Sequence, residues 1–158
     1  VDQEKGSEFR AKSVVYNSDM EETSLTLDLS HAYPKASKLK SWIRKATLNR
    51  GENASIEIVE SVELEEPTMD LKMYGMVLSK PQIQDGVIIL EKSDSAVEMR
   101  YNSENLTAGF EKIELKDPVL VKNWGPRLYR LVFKPKNKIR KRIYSFSFHP
   151  LRKLQEVG

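Results

Sequence analysis

The sequence of 158 residues contains no cysteine and only two histidines, His31 and His149. Without cysteine no disulfide framework or thiolate metal site can form, although this absence does not identify the redox compartment. Neither histidine has a second ligand type at metal spacing, and a zinc site requires three or four converging donors. The sequence therefore predicts no metal site in this chain.

Other patterns that mark catalytic or membrane proteins are also missing. The sequence has no glycine-rich phosphate loop, no Gly-x-Ser-x-Gly turn and no carboxylate pair in a recognisable frame. No apolar run approaches the roughly 20 residues of a membrane span, and residues 1–5 do not form a signal peptide. We predict no catalytic residue, no cofactor and no membrane span. Because the chain starts without Met and runs at once into a structured pattern, we expect an excised fragment of a larger protein.

The sequence is rich in two-residue alternation of apolar and polar side chains. Segments 24–29, 96–101, 110–115 and 143–148 each place apolar residues on one face. Strands with one apolar and one wet face favour antiparallel sheets over a parallel sheet buried on both sides. About ten such runs, separated by turn residues, predict an antiparallel β-sandwich. We expect one domain over residues 1–158.

Helical periodicity is scarce. Only 34–39 and 117–122, each with a Pro near its start, are predicted as short helical turns. The acidic stretch 60–66 is interpreted as a solvated face or an edge guard, since charged side chains at strand ends usually serve in that way.

Two strand-like segments are centred on Trp42 and Trp124. In each, the aromatic side chain stands among alternating apolar residues, so we predict that both rings are buried packing residues rather than a platform for sugars. Gly51 can take the positive φ of the hairpin turn after the first segment. Gly125 is predicted as part of a kink at the start of the second strand.

Charge and aromatic side chains supply candidate glycan contacts. The net charge is only +3, but segment 134–142 holds six cations and no acid, which can attract a polyanion. Between two apolar runs it is predicted to be a solvated hairpin loop. It lacks the interleaved aromatics that stack bases, so nucleic acid is not expected as a partner. The candidate contacts are four side chains of this loop and two tyrosines: Lys136, Lys138, Arg140, Arg142, Tyr33 and Tyr129.

Several short motifs follow one another along the chain in a recognisable order. They are Gln3 and Gly6, Asp28 with 32–34, Ser41 and Trp42 with Arg44, Arg50 and Gly51, 111–117, and Trp124 and Gly125 with 127–130, including Tyr129. In this order they resemble the C-terminal β-rich part of the heparinase II/III-like polysaccharide lyases. The resemblance covers almost the whole chain. It departs from the family at His31, where a small residue is more usual, and in the very basic segment 134–142.

The resemblance implies a periplasmic or secreted parent enzyme in which a helical toroid precedes stacked antiparallel sheets. Such an enzyme cleaves uronic-acid-containing polysaccharide by β-elimination. Its catalytic residues and any metal ligands would lie upstream of this chain, which alone is expected to be an inactive scaffold. Its partners would be the upstream toroid and β domain and, at a cleft rim, acidic polysaccharide. Two alternatives stay open: an autonomous carbohydrate-binding module, and a structural or assembly β-domain with protein partners.

Overall fold

The computed structural model describes residues 6–93 and 95–151, and nearly all of its regular structure is β-strand. Within these residues the strands are β1 Val14–Ser18, β2 Glu22–Asp28, β3 Leu39–Asn49, β4 Ser55–Thr68, β5 Met73–Val77, β6 Gln82–Gln84, β7 Val87–Lys92, β8 Ser95–Tyr101, β9 Leu106–Glu114, β10 Arg127–Pro135 and β11 Ile139–Leu151. One α-helix, α1, spans Pro118–Trp124, and one 3-10 helix spans Lys35–Ser37.

The strands form two antiparallel sheets. One sheet has eight strands in the order β1-β2-β3-β4-β11-β8-β7-β6, and the other has three in the order β5-β10-β9. The predicted all-β, antiparallel sandwich is confirmed. The two helical turns are confirmed as well, because the 3-10 helix lies within 34–39 and α1 covers most of 117–122.

The chain divides into two compact units. Unit 1 combines Asn137–Ser147 with the chain up to Met69, and unit 2 combines Asp70–Lys136 with the chain from Phe148 onward. Strand β11 contributes residues to both units.

The core of unit 1 is built on β3 and β4. In the antiparallel register of these strands Trp42 lies opposite Val62, and both side chains are buried. Gly51, in the turn that joins the two strands, has a φ of 96°, a conformation that L side chains rarely adopt. The hairpin predicted at this glycine is therefore present.

The core of unit 2 is centred on β10, the middle strand of the three-stranded sheet. Leu131 and Phe133 point to the same face and are almost completely buried. The ring of Phe133 meets Tyr101 of β8 edge-on, with 5.4 Å between the ring centroids. A strand of each sheet thus contributes to the core of this unit.

The sequence prediction for Trp124 is wrong. Trp124 is 53% exposed rather than buried, because it ends helix α1 instead of starting a strand. The helix forms because the Asp117 side chain accepts hydrogen bonds from the amides of Val119 and Leu120, and because Pro118 is suited to the first turn. Gly125, at a φ of 84°, caps its end.

The basic segment 134–142 is also not a hairpin loop. Strands β10 and β11 belong to different sheets, so the connection between them crosses from one sheet to the other. Only residues 136–138 lie between the two strands, and Arg140 and Arg142 are strand residues. Alternation in the flanking runs predicted the strands correctly, but it did not determine their partners.

Candidate functional site

A buried polar cluster in unit 1 joins Trp42, Arg44 and Glu60. Trp42 and Arg44 are two residues apart on β3 and share a face, and the register places Glu60 of β4 opposite Arg44. Trp42 Nε1 donates to Glu60 Oε2 at 2.6 Å, and Arg44 Nε donates to Glu60 Oε1, also at 2.6 Å. Glu60 is only 3% exposed, so its charge is balanced by an arginine and both carboxylate oxygens are engaged.

Tyr33 completes this cluster by stacking on Trp42. The two rings are nearly parallel, at 5°, with centroids 5.3 Å apart. Burial raises the pKa of Tyr33. The charge of Arg44 lowers this pKa, and the charge of Glu60 raises it, but burial is the largest cause. Because one face of the buried indole is covered by Tyr33 and its N–H is bound to Glu60, Trp42 is a packing residue rather than a sugar platform.

The turn after β2 holds Tyr33 in place. Asp28 Oδ1 accepts hydrogen bonds from the amide and the hydroxyl of Ser30. Ser30 Oγ in turn accepts from the Trp42 amide at 3.3 Å, and the Leu29 amide donates to the Trp42 carbonyl at 2.8 Å. The two hydrogen bonds from Ser30, above all that of its side chain, lower the pKa of Asp28 below its ordinary value of 3.8, and the charge of Lys12 acts in the same direction.

The lowered pKa of Asp28 predicts a contribution to stability that disappears in acid. A group whose folded pKa is depressed stabilises the native state above its unfolded pKa and loses that effect as the pH falls through its folded pKa. The difference in unfolding free energy between the parent and Asp28→Asn should therefore be largest at neutral pH and shrink below pH 3.8. Urea titrations at pH 7 and at successively lower pH measure it.

Ser30→Ala is the companion variant, because it removes the main cause of the shift and keeps the carboxylate. The difference in unfolding free energy between the parent and Ser30→Ala should also shrink as the pH falls, but by less than the difference for Asp28→Asn. A difference between the parent and Asp28→Asn that stays constant from neutral to acid pH would contradict the assignment.

A cleft opens beside this turn. It has a volume of about 460 Å³ and is lined by Glu8, Arg10, Ala11, Lys12 and His31. The segment before β1 is held against the turn because the Lys12 amide donates to the Asp28 carbonyl and the Asp28 amide donates to that of Ser13. Antiparallel pairing thus brings Arg10 and Lys12 to the same cleft as His31, which is about twenty residues away along the chain.

The four predicted basic contacts are all exposed. Lys136 and Lys138 lie between the strands, and Arg140 and Arg142 lie on β11. Their neighbour Lys141 forms a salt bridge of 3.3 Å with Glu63. Whether any of these side chains contacts a glycan stays a prediction.

The two predicted tyrosines have different environments. Tyr33 belongs to unit 1, where it is half-buried against Trp42. Tyr129 belongs to unit 2, where it is 9% exposed and meets Phe110 edge-on with 5.9 Å between centroids. A ring this deeply buried offers little surface to a sugar, so Tyr129 acts in packing.

Sequence reasoning missed two charged groupings. Glu60 was placed on a solvated face, although it shares its strand face with the apolar Ile58 and Val62, and this was the available signal. On the three-stranded sheet, the Arg130 guanidinium stands 4.9 Å above the Tyr74 ring, and Arg130 Nε donates to Glu111 at 2.9 Å. No local pattern in the sequence indicates this second grouping.

The described residues contain no group of three or more His, Cys, Asp or Glu side chains placed to hold a metal ion. No helix within them is both long and apolar enough to cross a membrane.

The architecture defines an all-β fold of two antiparallel sheets, and known structures share this fold. The crystal structures of heparan sulfate lyase HepC from Pedobacter heparinus and of a mutant of that enzyme each match with a TM-score of 0.66 and 13% identity. Each match covers 92% of this chain and 22% of the lyase, so this chain spans about a fifth of that enzyme's length. At this identity the likeness establishes the fold. No family model matches the sequence, and no curated protein gives a significant match.

Proposed function

We propose that this chain is the non-catalytic β-sheet scaffold portion of a heparinase II/III-like polysaccharide lyase. The parent enzyme would cleave uronic-acid-containing glycans by β-elimination. The observation that carries the proposal is the fold match to heparan sulfate lyase HepC over 92% of this chain, together with the order of the motifs around Trp42 and Trp124. The match occupies only 22% of the lyase, which leaves room for other domains in the parent.

The chemistry of β-elimination supports a scaffold role. The reaction needs a base to take the proton beside the uronate carboxyl and positive groups to stabilise the developing negative charge. Both oxygens of the buried Glu60 carboxylate are occupied by Trp42 and Arg44. The raised pKa of Tyr33 keeps this phenol protonated, so it is a poor base. Neither member of the best-formed polar cluster suits the proton transfer, and we assign the catalytic groups to the rest of the parent.

In the proposed parent enzyme, the scaffold would pack beside an upstream helical toroid and β domain. That enzyme would work in the periplasm or outside the cell. Any metal would be bound by residues outside this chain.

Activity measurements test the proposed function. The isolated chain should release no unsaturated uronate from heparan sulfate or other uronate polysaccharides, because neither Glu60 nor Tyr33 suits the proton transfer and the catalytic groups are assigned to the rest of the parent. The complete product of the gene that encodes it should release this product, which is followed by its ultraviolet absorbance. A neutral polysaccharide is the matched control substrate, since it has no carboxyl group to acidify the proton. Product formation by the isolated chain overturns the scaffold role, and a complete protein that cleaves no uronate polysaccharide overturns the lyase assignment.

A further inference from the structure

We propose that the cleft lined by Arg10, Lys12 and His31 is a binding site for an anionic substituent, sulfate or carboxylate, of an acidic glycan. The identification of the ligand as a glycan rests on the proposed function. The preference for an anion rests on the cationic side chains that line the cleft. The cleft is separate from the Trp42 cluster and from the basic segment 134–142.

Hydrogen bonds fix both walls of the cleft. On one side, the pairing of Lys12 and Ser13 with Asp28 holds the basic segment in register. On the other, the Ala32 amide donates to the Leu29 carbonyl at 2.9 Å, which closes the turn that presents His31. The donor groups therefore project from a backbone that is already ordered, and binding needs little additional ordering of the chain.

The cationic side chains of the cleft have no salt bridge with the described part of the chain. In the same unit, Lys38, Lys40 and Arg44 are each paired with a glutamate. Arg10 and Lys12, by contrast, are exposed and available to an external anion. Arginine suits this role because its planar fork donates two parallel hydrogen bonds to a carboxylate or sulfate.

Two acidic residues lie near these cations, Glu8 in the lining of the cleft and Asp28 in the adjoining turn. Glu8 folds back on the chain, since a Cβ built at Gly6 would lie 2.5 Å from its carboxylate oxygens. Asp28 Oδ1 accepts both donors of Ser30, and the charge of Lys12 contributes to the lowered pKa of this carboxyl. Neither carboxylate forms a salt bridge with Arg10 or Lys12 within the described residues, so both cations keep hydrogen-bond donors for a ligand.

The size of the cleft indicates a sugar residue rather than a lone ion. Its volume of about 460 Å³ lies within the range of small-molecule sites, roughly 300–1,000 Å³. An inorganic anion would fill only a small part of this space. A sugar that carries a sulfate or carboxylate can place the charge on Arg10 and Lys12 and its ring along the remaining surface.

Calorimetric titration of the purified chain tests the proposal. The ligands are a sulfated uronate oligosaccharide, a carboxylated one without sulfate, a neutral one of equal length, and inorganic sulfate. The double variant R10Q/K12Q should bind the acidic oligosaccharides at least about tenfold more weakly, since two charge-assisted contacts are lost. The control K80Q/K116Q removes two exposed lysines elsewhere and gives the same net charge. It should bind within about twofold of the parent, because neither lysine lines the cleft.

Two further variants make the result specific to the cleft. Ala11→Glu adds a negative charge to the lining and should weaken binding, and His31→Gln, which removes the imidazole from the lining, should weaken it as well. Circular dichroism verifies that each variant is folded.

Equal losses in R10Q/K12Q and in K80Q/K116Q would show attraction by net charge alone and overturn the site. Binding of the neutral oligosaccharide as tightly as the acidic ones would overturn it as well, and so would inorganic sulfate binding as tightly as the sulfated oligosaccharide. None of these results bears on uronate cleavage by the complete protein, so failure of the cleft and failure of the proposed function are distinguishable.

Discussion

Replacing Trp42 with Ala should lower the free energy of unfolding by about 3–5 kcal/mol, the range for removing a large aromatic side chain from a core. The indole is 6% exposed and stacks on Tyr33, so its loss leaves a cavity that the neighbouring strands can fill only partly. The substitution also removes the donor to Glu60 Oε2 and leaves a buried carboxylate oxygen without its partner. Urea unfolding followed by far-ultraviolet circular dichroism measures the effect without relying on tryptophan fluorescence.

Trp124→Ala is the matched control for this experiment. It removes the same side chain from the end of helix α1, where the ring is 53% exposed. Because surface substitutions away from special features change stability by roughly 0.5 kcal/mol or less, and this half-exposed ring buries only part of its area, we expect a loss of at most about 1 kcal/mol. A Trp42→Ala variant that melts like the parent would contradict the packing role, and a simultaneous loss of glycan binding would make Trp42 a surface platform.

Trp42→Phe separates the ring from its hydrogen bond. Phenylalanine keeps an aromatic partner for Tyr33 but cannot donate to Glu60, so its stability should lie between those of the parent and Trp42→Ala. If Trp42→Phe is as unstable as Trp42→Ala, the hydrogen bond to the buried carboxylate is the larger part of the contribution of Trp42.

The fold was predictable because alternation acts locally. Strands β2 and β4 show the two-residue period in their leucine and isoleucine positions, and the positive φ of Gly51 fits a glycine placed between two predicted strands. Trp124 was misplaced at the boundary between two elements. The helical turn predicted over 117–122 continues to Trp124, whereas the strand pattern that follows it was extended back to this residue.

The partners of strands and side chains were harder to predict. Strands β10 and β11 follow one another as a hairpin would, yet they join different sheets, because pairing depends on contacts far apart in the sequence. The cleft was hard to predict for the same reason, since Arg10 and His31 reach it through the pairing of Lys12 with Asp28, which are far apart in the sequence. Glu60 is the exception. Its position between Ile58 and Val62 on one strand face already indicated a buried carboxylate that would need a cationic partner.

Leu131→Ala should destabilise the protein by about 2–5 kcal/mol, because Leu131 is 1% exposed at the centre of the three-stranded sheet. In the registers of β10 with β5 and β9 it lies between Gly75 and Phe110. Gly75 offers no side chain that could move into the space. Met76→Ala is the matched control on strand β5 of this sheet. Met76 is 53% exposed on the opposite face, so its loss should cost less than about 1 kcal/mol.

The Leu131 variant also determines whether the two units unfold together. In a Trp124→Phe background the remaining tryptophan, Trp42, reports on unit 1, whereas Leu131 belongs to unit 2. We expect one domain, so Leu131→Ala should shift the fluorescence transition of Trp42 to lower urea by as much as it shifts the transition seen by circular dichroism. A fluorescence transition that stays in place while circular dichroism shows two steps would mean that the units unfold independently. Strand β11 favours the single transition, because its backbone runs without a break from the residues of unit 1 into those of unit 2.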